Sequence, residues 1–147
     1  MTELLYLQDS YLKEFQAKIT YIQENKICLD KTAFYPQGGG QPSDTGWLVI
    51  DGKDFEVLEV KKEADKVWHK LKQVEGLQVG QIVNGKIDWK KRYEFMRMHT
   101  SAHVLAAIIF SETKKLITGN QIGYPESRMD FDADESFNES SAKKLEE

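Results

Sequence analysis

The sequence predicts an α+β fold: a small N-terminal β-barrel, then a long helix laid on an antiparallel sheet. Three observations carry this. Residues 1–88 hold six short β-prone runs separated by turn signals. At Asp88 the apolar period becomes that of a helix, and no Gly or Pro interrupts the next 30 residues. Two more β-prone segments follow Gly119. The expected domains are therefore residues 1–88 and residues 89–147.

The candidate strands are residues 17–21, Lys26–Leu29, 47–50, 55–60, Lys66–Leu71 and 81–87. Gln23-Glu24-Asn25, Asp51-Gly52 and Glu75-Gly76 mark turns, and Asn84-Gly85, between Val83 and Ile87, reads as a hairpin signal. Many short strands at even spacing suit a small barrel.

Asp88 is the expected N-cap of the helix. At about 100° per residue, Phe95, His99, Ala102, His103, Ala106 and Phe110 share one face. From Met98 to Phe110 the other faces are also largely apolar, which predicts a helix buried on most sides. Lys114 and Lys115 favour its C-terminal end, and Gly119 is the expected stop. Strands are then expected at residues 120–124 and 128–132, with a turn at Pro125-Glu126-Ser127. Ser140 or Ser141 can cap a further helix, but Leu145 is its one strong apolar anchor, and so short a helix is not stable alone. The sequence thus reads as truncated, with a polar tail as the alternative.

Composition narrows the class. With 40% hydrophobic and 30% charged residues the chain has ordinary globular make-up. The longest apolar run, residues 104–110, is far short of the roughly 20 residues a membrane span needs. The N-terminus lacks the basic stretch of a signal peptide, and one cysteine, Cys28, suits a reducing compartment. A cytoplasmic protein with no membrane partner is expected. The net charge of −4 argues against nucleic-acid binding over the whole surface but leaves room for a local patch, since screening acts over about 8 Å. Lys86, Lys90, Lys91, Arg92 and Arg97 form such a cluster in the sequence, with a solvated helix start as the plainer alternative.

Two motifs carry chemistry. His99 and His103 are four apart on a helix, so both imidazoles can reach one zinc at about 2.0–2.1 Å. Taken alone, the pair is weak evidence for a metal, and core histidines bonded to backbone or Ser/Thr groups are the readier reading. Position 100 is Thr, so the pair is not the His-Glu-x-x-His of metallopeptidases, whose Glu is the general base. Zinc takes at least three protein ligands, and His69 and Cys28, both in predicted strands, have no ligand-like spacing to the pair. The second motif is Phe34-Tyr35-Pro36-Gln37-Gly38-Gly39-Gly40-Gln41-Pro42-Ser43-Asp44-Thr45-Gly46. It lacks the Gly-Lys-Ser/Thr ending of a P-loop and no helix follows it. Its amides can meet RNA phosphates or a tRNA 3′ end, or it can simply connect barrel strands.

In combination these motifs are more specific. Residues 30–41, then Ile87-Asp88-Trp89-Lys90-Lys91-Arg92-Tyr93, then Met96-Arg97-Met98-His99-Thr100-Ser101-Ala102-His103-Val104-Leu105 resemble the editing region of alanyl-tRNA synthetase. The resemblance is strongest to its free-standing relatives, the AlaX proteins, in the form that keeps the glycine-motif domain. It covers nearly the whole chain. It implies that residues 89–147 are the first part of an editing domain, with His99 and His103 as the first two zinc ligands. Gly119-Asn120-Gln121-Ile122-Gly123 matches the family's active-site turn, in which Gln121 faces the aminoacyl ester, and Thr100 follows the first ligand as in relatives. Gly38, Gly39, Gly40 and Gln41 match the motif placed near the editing pocket and the tRNA, and Thr32 and Arg97 join them as expected tRNA-binding residues. Many relatives carry Thr before the second His; Ala102 stands there in this chain. The family's other two ligands come from a downstream Cys-x3-His that this sequence does not contain.

The implied reaction is zinc-dependent hydrolysis of the ester joining serine or glycine to alanine tRNA. A pocket built for alanine cannot fully exclude a smaller residue or one that adds a hydroxyl, so a second, hydrolytic site is needed. The rival readings are a non-catalytic tRNA-binding module and a part of a full alanyl-tRNA synthetase.

Overall fold

Six antiparallel strands close into a barrel in the order β2-β3-β7-β6-β5-β8. They are β2 (Glu14–Gln23), β3 (Lys26–Leu29), β5 (Gly46–Ile50), β6 (Lys53–Glu63), β7 (Lys66–Leu71) and β8 (Ile82–Ile87). Two short strands, β1 (Glu3–Leu4) and β4 (Lys31–Thr32), pair in parallel beside it and have no counterpart in the sequence reading. The computed structural model describes residues 1–132; the expected cap at Ser140 or Ser141 and the Leu145 anchor lie outside them. The described chain divides into two units, Met1–Gly38 with Pro42–Tyr93, and Gly39–Gln41 with the residues from Glu94 onward. No helix among the described residues is long and apolar enough to cross a membrane.

Alternation builds the barrel. Phe15, Ala17 and Ile19 of β2 point inward while their neighbours face water, and Phe55 with Val57 and Val83 with Ile87 do the same on β6 and β8. Phe34 fills the centre, fully buried, its ring edge-on to Phe15 at 5.6 Å. The β5–β6 turn is Asp51-Gly52, with positive φ at both residues, as a tight hairpin requires. Asn84-Gly85 is not a turn. Both lie within β8, which pairs continuously with β2 and β5. A Cβ on Gly85 would overlap the Phe15 ring, so this glycine serves side-chain packing and not chain reversal.

Two buried polar nodes brace this unit. His69, on β7, has no exposed surface. Its Nδ1–H donates to the Ile27 carbonyl at 3.4 Å, and its Nε2 accepts from the Thr32 hydroxyl at 2.8 Å. The Thr32 oxygen accepts in turn from Phe34 N–H. The second node is Arg92 with Asp44, both almost wholly buried. Arg92 Nε lies 2.9 Å from both carboxylate oxygens, and Nη2 forms the ion pair with Oδ2. The guanidinium also donates to the Ser10 and Ala33 carbonyls, while Asp44 accepts from Tyr35 N–H at 2.7 Å. Arg92 is therefore absent from any basic surface, unlike the exposed Lys86, Lys90 and Arg97.

Helix α1 (Trp89–Thr113) begins where expected: the Asp88 carboxylate accepts from Lys91 N–H, and Arg92 N–H reaches the Asp88 carbonyl. It ends earlier than expected. Lys114 adopts a left-handed conformation and its N–H closes on the Phe110 carbonyl, so the chain turns before Gly119. Gly119 instead lies inside strand β9 (Ile117–Gln121), which pairs antiparallel with β10 (Arg128–Phe131). The first strand thus starts three residues before the position expected from sequence. In the second unit Phe95 and Ala102 of α1 pack with Ile122, flanked by Met98 and Met129. The helix is not buried on most sides. Val104, Leu105, Ile108 and Phe110 are exposed, because the described sheet has two strands and covers one face only.

The two nodes give measurable consequences. Arg92→Met strands the buried Asp44 carboxylate and is expected to cost about 3–5 kcal/mol in denaturant titration; a loss under 1 kcal/mol contradicts the reading. Burial holds the His69 pKa down at about 4, against 6.5 for the free group. Below pH 6.5 the unfolded chain takes up a proton that the folded chain refuses. Its stabilising effect is complete above that pH and drains away as pH falls toward 4. His69→Gln is therefore expected to lose about 2 kcal/mol less than the parent between pH 7 and pH 4.5; equal losses in the two proteins would remove His69 from the acid response.

Candidate functional site

Within the second unit, α1 supplies the histidine pair. The turn spacing sets the His99 and His103 rings face to face, 5.0 Å between centroids and 11° from parallel. His99 is partly buried and His103 is exposed. Burial, and then the neighbouring His103, lowers the pKa of His99, so the ring favours its neutral form. A neutral imidazole is the metal-binding form.

The glycine-rich segment contributes to the same unit through Gly39–Gln41. Gln41 is buried, and its side-chain oxygen lies 2.8 Å from His99 Nδ1. An amide oxygen can only accept, so Nδ1 carries the proton and Nε2 is left with its lone pair. Gly40 has a φ of +80°, and a Cβ there would fall on the Asn120 side chain. The Gly40 carbonyl accepts from Ile122 N–H at 2.7 Å. The glycine is thus required by a close approach of two backbone segments, not by an open loop.

The sequence-derived residues fall into two groups. Gly39, Gly40, Gln41, Arg97, Thr100, His99, His103 and Gln121 belong to the second unit. Gln121 ends β9, and Gln121, Thr100 and Arg97 are exposed. Gly38 and Thr32 belong to the barrel unit. Gly38 holds the Tyr35 hydroxyl through its carbonyl, at 3.3 Å. Thr32, expected near bound tRNA, is fully buried with its hydroxyl engaged by His69 and Phe34, so it offers nothing to an RNA. What sequence reasoning missed are two contacts, Asn120 against Gly40 and Gln41 against His99. No spacing signal announces a contact across 58 positions.

The donor set fits zinc in kind and falls short in number. Two imidazoles on one helix face, one of them held at Nδ1 by an amide oxygen, are donors of the kind zinc takes. Among the described residues no third His, Cys, Asp or Glu groups with them. His69 has both ring nitrogens engaged in the barrel core, and Cys28 is buried with its thiol pKa raised by that burial.

The chain is 50% identical over 139 residues to the alanyl-tRNA editing protein AlaX-M of Methanosarcina mazei, covering 89% of this chain and 55% of that protein. It is 46% identical over 136 residues to AlaX-M of Saccharolobus solfataricus, covering 91% and 58%. The alanine–tRNA ligase of Pyrococcus furiosus is 42% identical over 132 residues, which are 88% of this chain and 14% of the ligase. The chain spans about half the length of the curated editing proteins it matches. Residues 3–91 match the family described as tRNA synthetases class II (A). The chain therefore belongs to the class II (A) tRNA synthetase family, as a relative of the AlaX-M alanyl-tRNA editing proteins.

Proposed function

We propose that this chain supplies tRNA-engaging and catalytic residues to a cytoplasmic editing hydrolase. The substrate is alanine tRNA mischarged with serine or glycine, and the bond cleaved is the aminoacyl ester. The observation that carries the reading is the His99–His103 pair with one ring tied to Gln41, in a chain so similar to AlaX-M. His99 and His103 would hold zinc, which supplies Lewis-acid polarisation of the ester or activation of its attacking water. Gln121, exposed at the end of β9, would hydrogen-bond the ester, and Thr100 would offer a hydroxyl one residue from His99. Neither histidine serves as a general base while it ligates metal. The exposed Arg97 supplies a cation for a phosphate of the bound RNA.

The two-member donor set favours a second reading, a non-catalytic tRNA-binding module with structural histidines. One experiment separates the two. Serine-charged alanine tRNA is incubated with the protein, and released serine, bound tRNA and bound zinc are measured on one preparation. Hydrolysis above the spontaneous rate is expected, and His99→Ala should lose at least about tenfold in both hydrolysis and zinc retention. Hydrolysis that survives in a metal-free His99→Ala protein overturns the zinc role. Tight tRNA binding with neither zinc nor hydrolysis establishes the binding module instead.

A further inference from the structure

The glycine-rich segment is conspicuous in the sequence because three glycines suggest a backbone bared for a ligand. Its actual bonds run inward. The Gly40 carbonyl is taken by Ile122 N–H, the residue after Gln121. The missing Gly40 side chain makes room for Asn120, the residue before Gln121. The next residue, Gln41, is buried and spends its side-chain oxygen on His99. Two adjacent residues therefore grip the two elements that carry the candidate chemistry, α1 at His99 and the β9 end at Asn120 and Ile122, on either side of Gln121.

We propose that Gly40 and Gln41 are positioning residues: Gln41 fixes the ring and tautomer of His99, and Gly40 seats the strand end that presents Gln121. The inference rests on the editing-site reading for what the two elements do. The physical argument is local. An imidazole free to choose its tautomer spends part of its time with the proton on Nε2, and in that state it has no lone pair there for a metal. With the Gln41 amide oxygen held against Nδ1, the hydrogen bond forms only when Nδ1 carries the proton, so it favours that state. Among the described residues no hydrogen bond occupies His99 Nε2, so the bare nitrogen is left for a ligand-binding task. Gly40 acts by shape. Any side chain there would displace Asn120 and pull on the Ile122 hydrogen bond.

The test reads the tautomer directly, on the metal-free protein. Two-bond proton–nitrogen NMR correlations of the nitrogen-15-labelled chain, recorded above the imidazole titration, are expected to show His99 protonated at Nδ1. Gln41→Leu removes the acceptor and should return His99 to a mixture dominated by the Nε2-protonated form. Gln41→Glu keeps an acceptor and should preserve the Nδ1 form, which a merely structural role for Gln41 would not distinguish from loss of the amide. Zinc affinity, measured by chelator competition, should fall about 10- to 100-fold in Gln41→Leu and recover in Gln41→Glu. In Gly40→Ala the Ile122 amide should lose its protection from hydrogen exchange while the barrel amides keep theirs. An Nε2-protonated His99 in the parent, the same tautomer in Gln41→Leu, or an unchanged Ile122 amide in Gly40→Ala overturns the assignment. Because the tautomer and exchange readouts need no metal, their failure counts against Gln41 and Gly40 alone. Absence of zinc from the parent counts against the editing-site reading alone.

Discussion

The barrel unit depends on one buried ion pair. Arg92 and Asp44 are 48 positions apart in the chain and almost wholly removed from water. Burying two charges is costly unless geometry and further hydrogen bonds satisfy them. Here they do: the guanidinium is forked onto the carboxylate and onto two backbone carbonyls, and the carboxylate accepts a backbone N–H as well. The consequence is architectural. Asp44 N–H bonds back to the Tyr35 carbonyl, so the carboxylate and its own amide together clamp the two ends of the glycine-rich segment. Arg92 stands in the first turn of α1, so the same pair fixes where that helix starts.

A clamped base explains how the segment between can be so rich in glycine. A stretch of flexible residues loses much conformational entropy on ordering, and the cost falls when its ends are already fixed. The chain leaves the barrel unit at Gly38 and rejoins it at Pro42. In those intervening residues it makes its bonds to His99 and Ile122. Glycine is demanded at Gly40 by the approach of Asn120 in the second unit, and at Gly85 by the approach of Phe15 in the barrel. In both places the residue type records a neighbour's position, not a turn.

This is also where sequence reasoning reached its limit. The six barrel strands were legible because alternation and turn residues are local signals, and the structure closes those same runs into one barrel. Asn84-Gly85 misled because a turn dipeptide and a packing glycine look identical until Phe15 is placed against the strand. The helix start was legible from Asp88, a local cap. Its exposed flank at Val104, Leu105 and Ile108 was not, since apolarity states only a preference for burial and the covering partner is non-local. The histidine pair was legible from spacing and resemblance, whereas the Gln41 contact depends on chain path and no pattern encodes it. Thr32 was misjudged for the same reason: its neighbour in space is His69, 37 positions away.

The two partly or wholly buried histidines differ in how their ring nitrogens are used. Burial lowers the pKa of both His69 and His99, so charge state does not separate them. The difference lies in the second nitrogen. His69 spends Nδ1 on the Ile27 carbonyl and Nε2 on the Thr32 hydroxyl, which completes its hydrogen bonding inside the barrel. His99 spends Nδ1 on Gln41 and sits four residues from another imidazole whose ring lies parallel to its own. A buried ring that needs only to be satisfied would use both nitrogens, because a partly satisfied polar group is costly away from water. His99 is held at Nδ1, and among the described residues no hydrogen bond takes its Nε2. The same accounting assigns His69 to the stability of the barrel and leaves His99 as the ring with a nitrogen to spare for the proposed site.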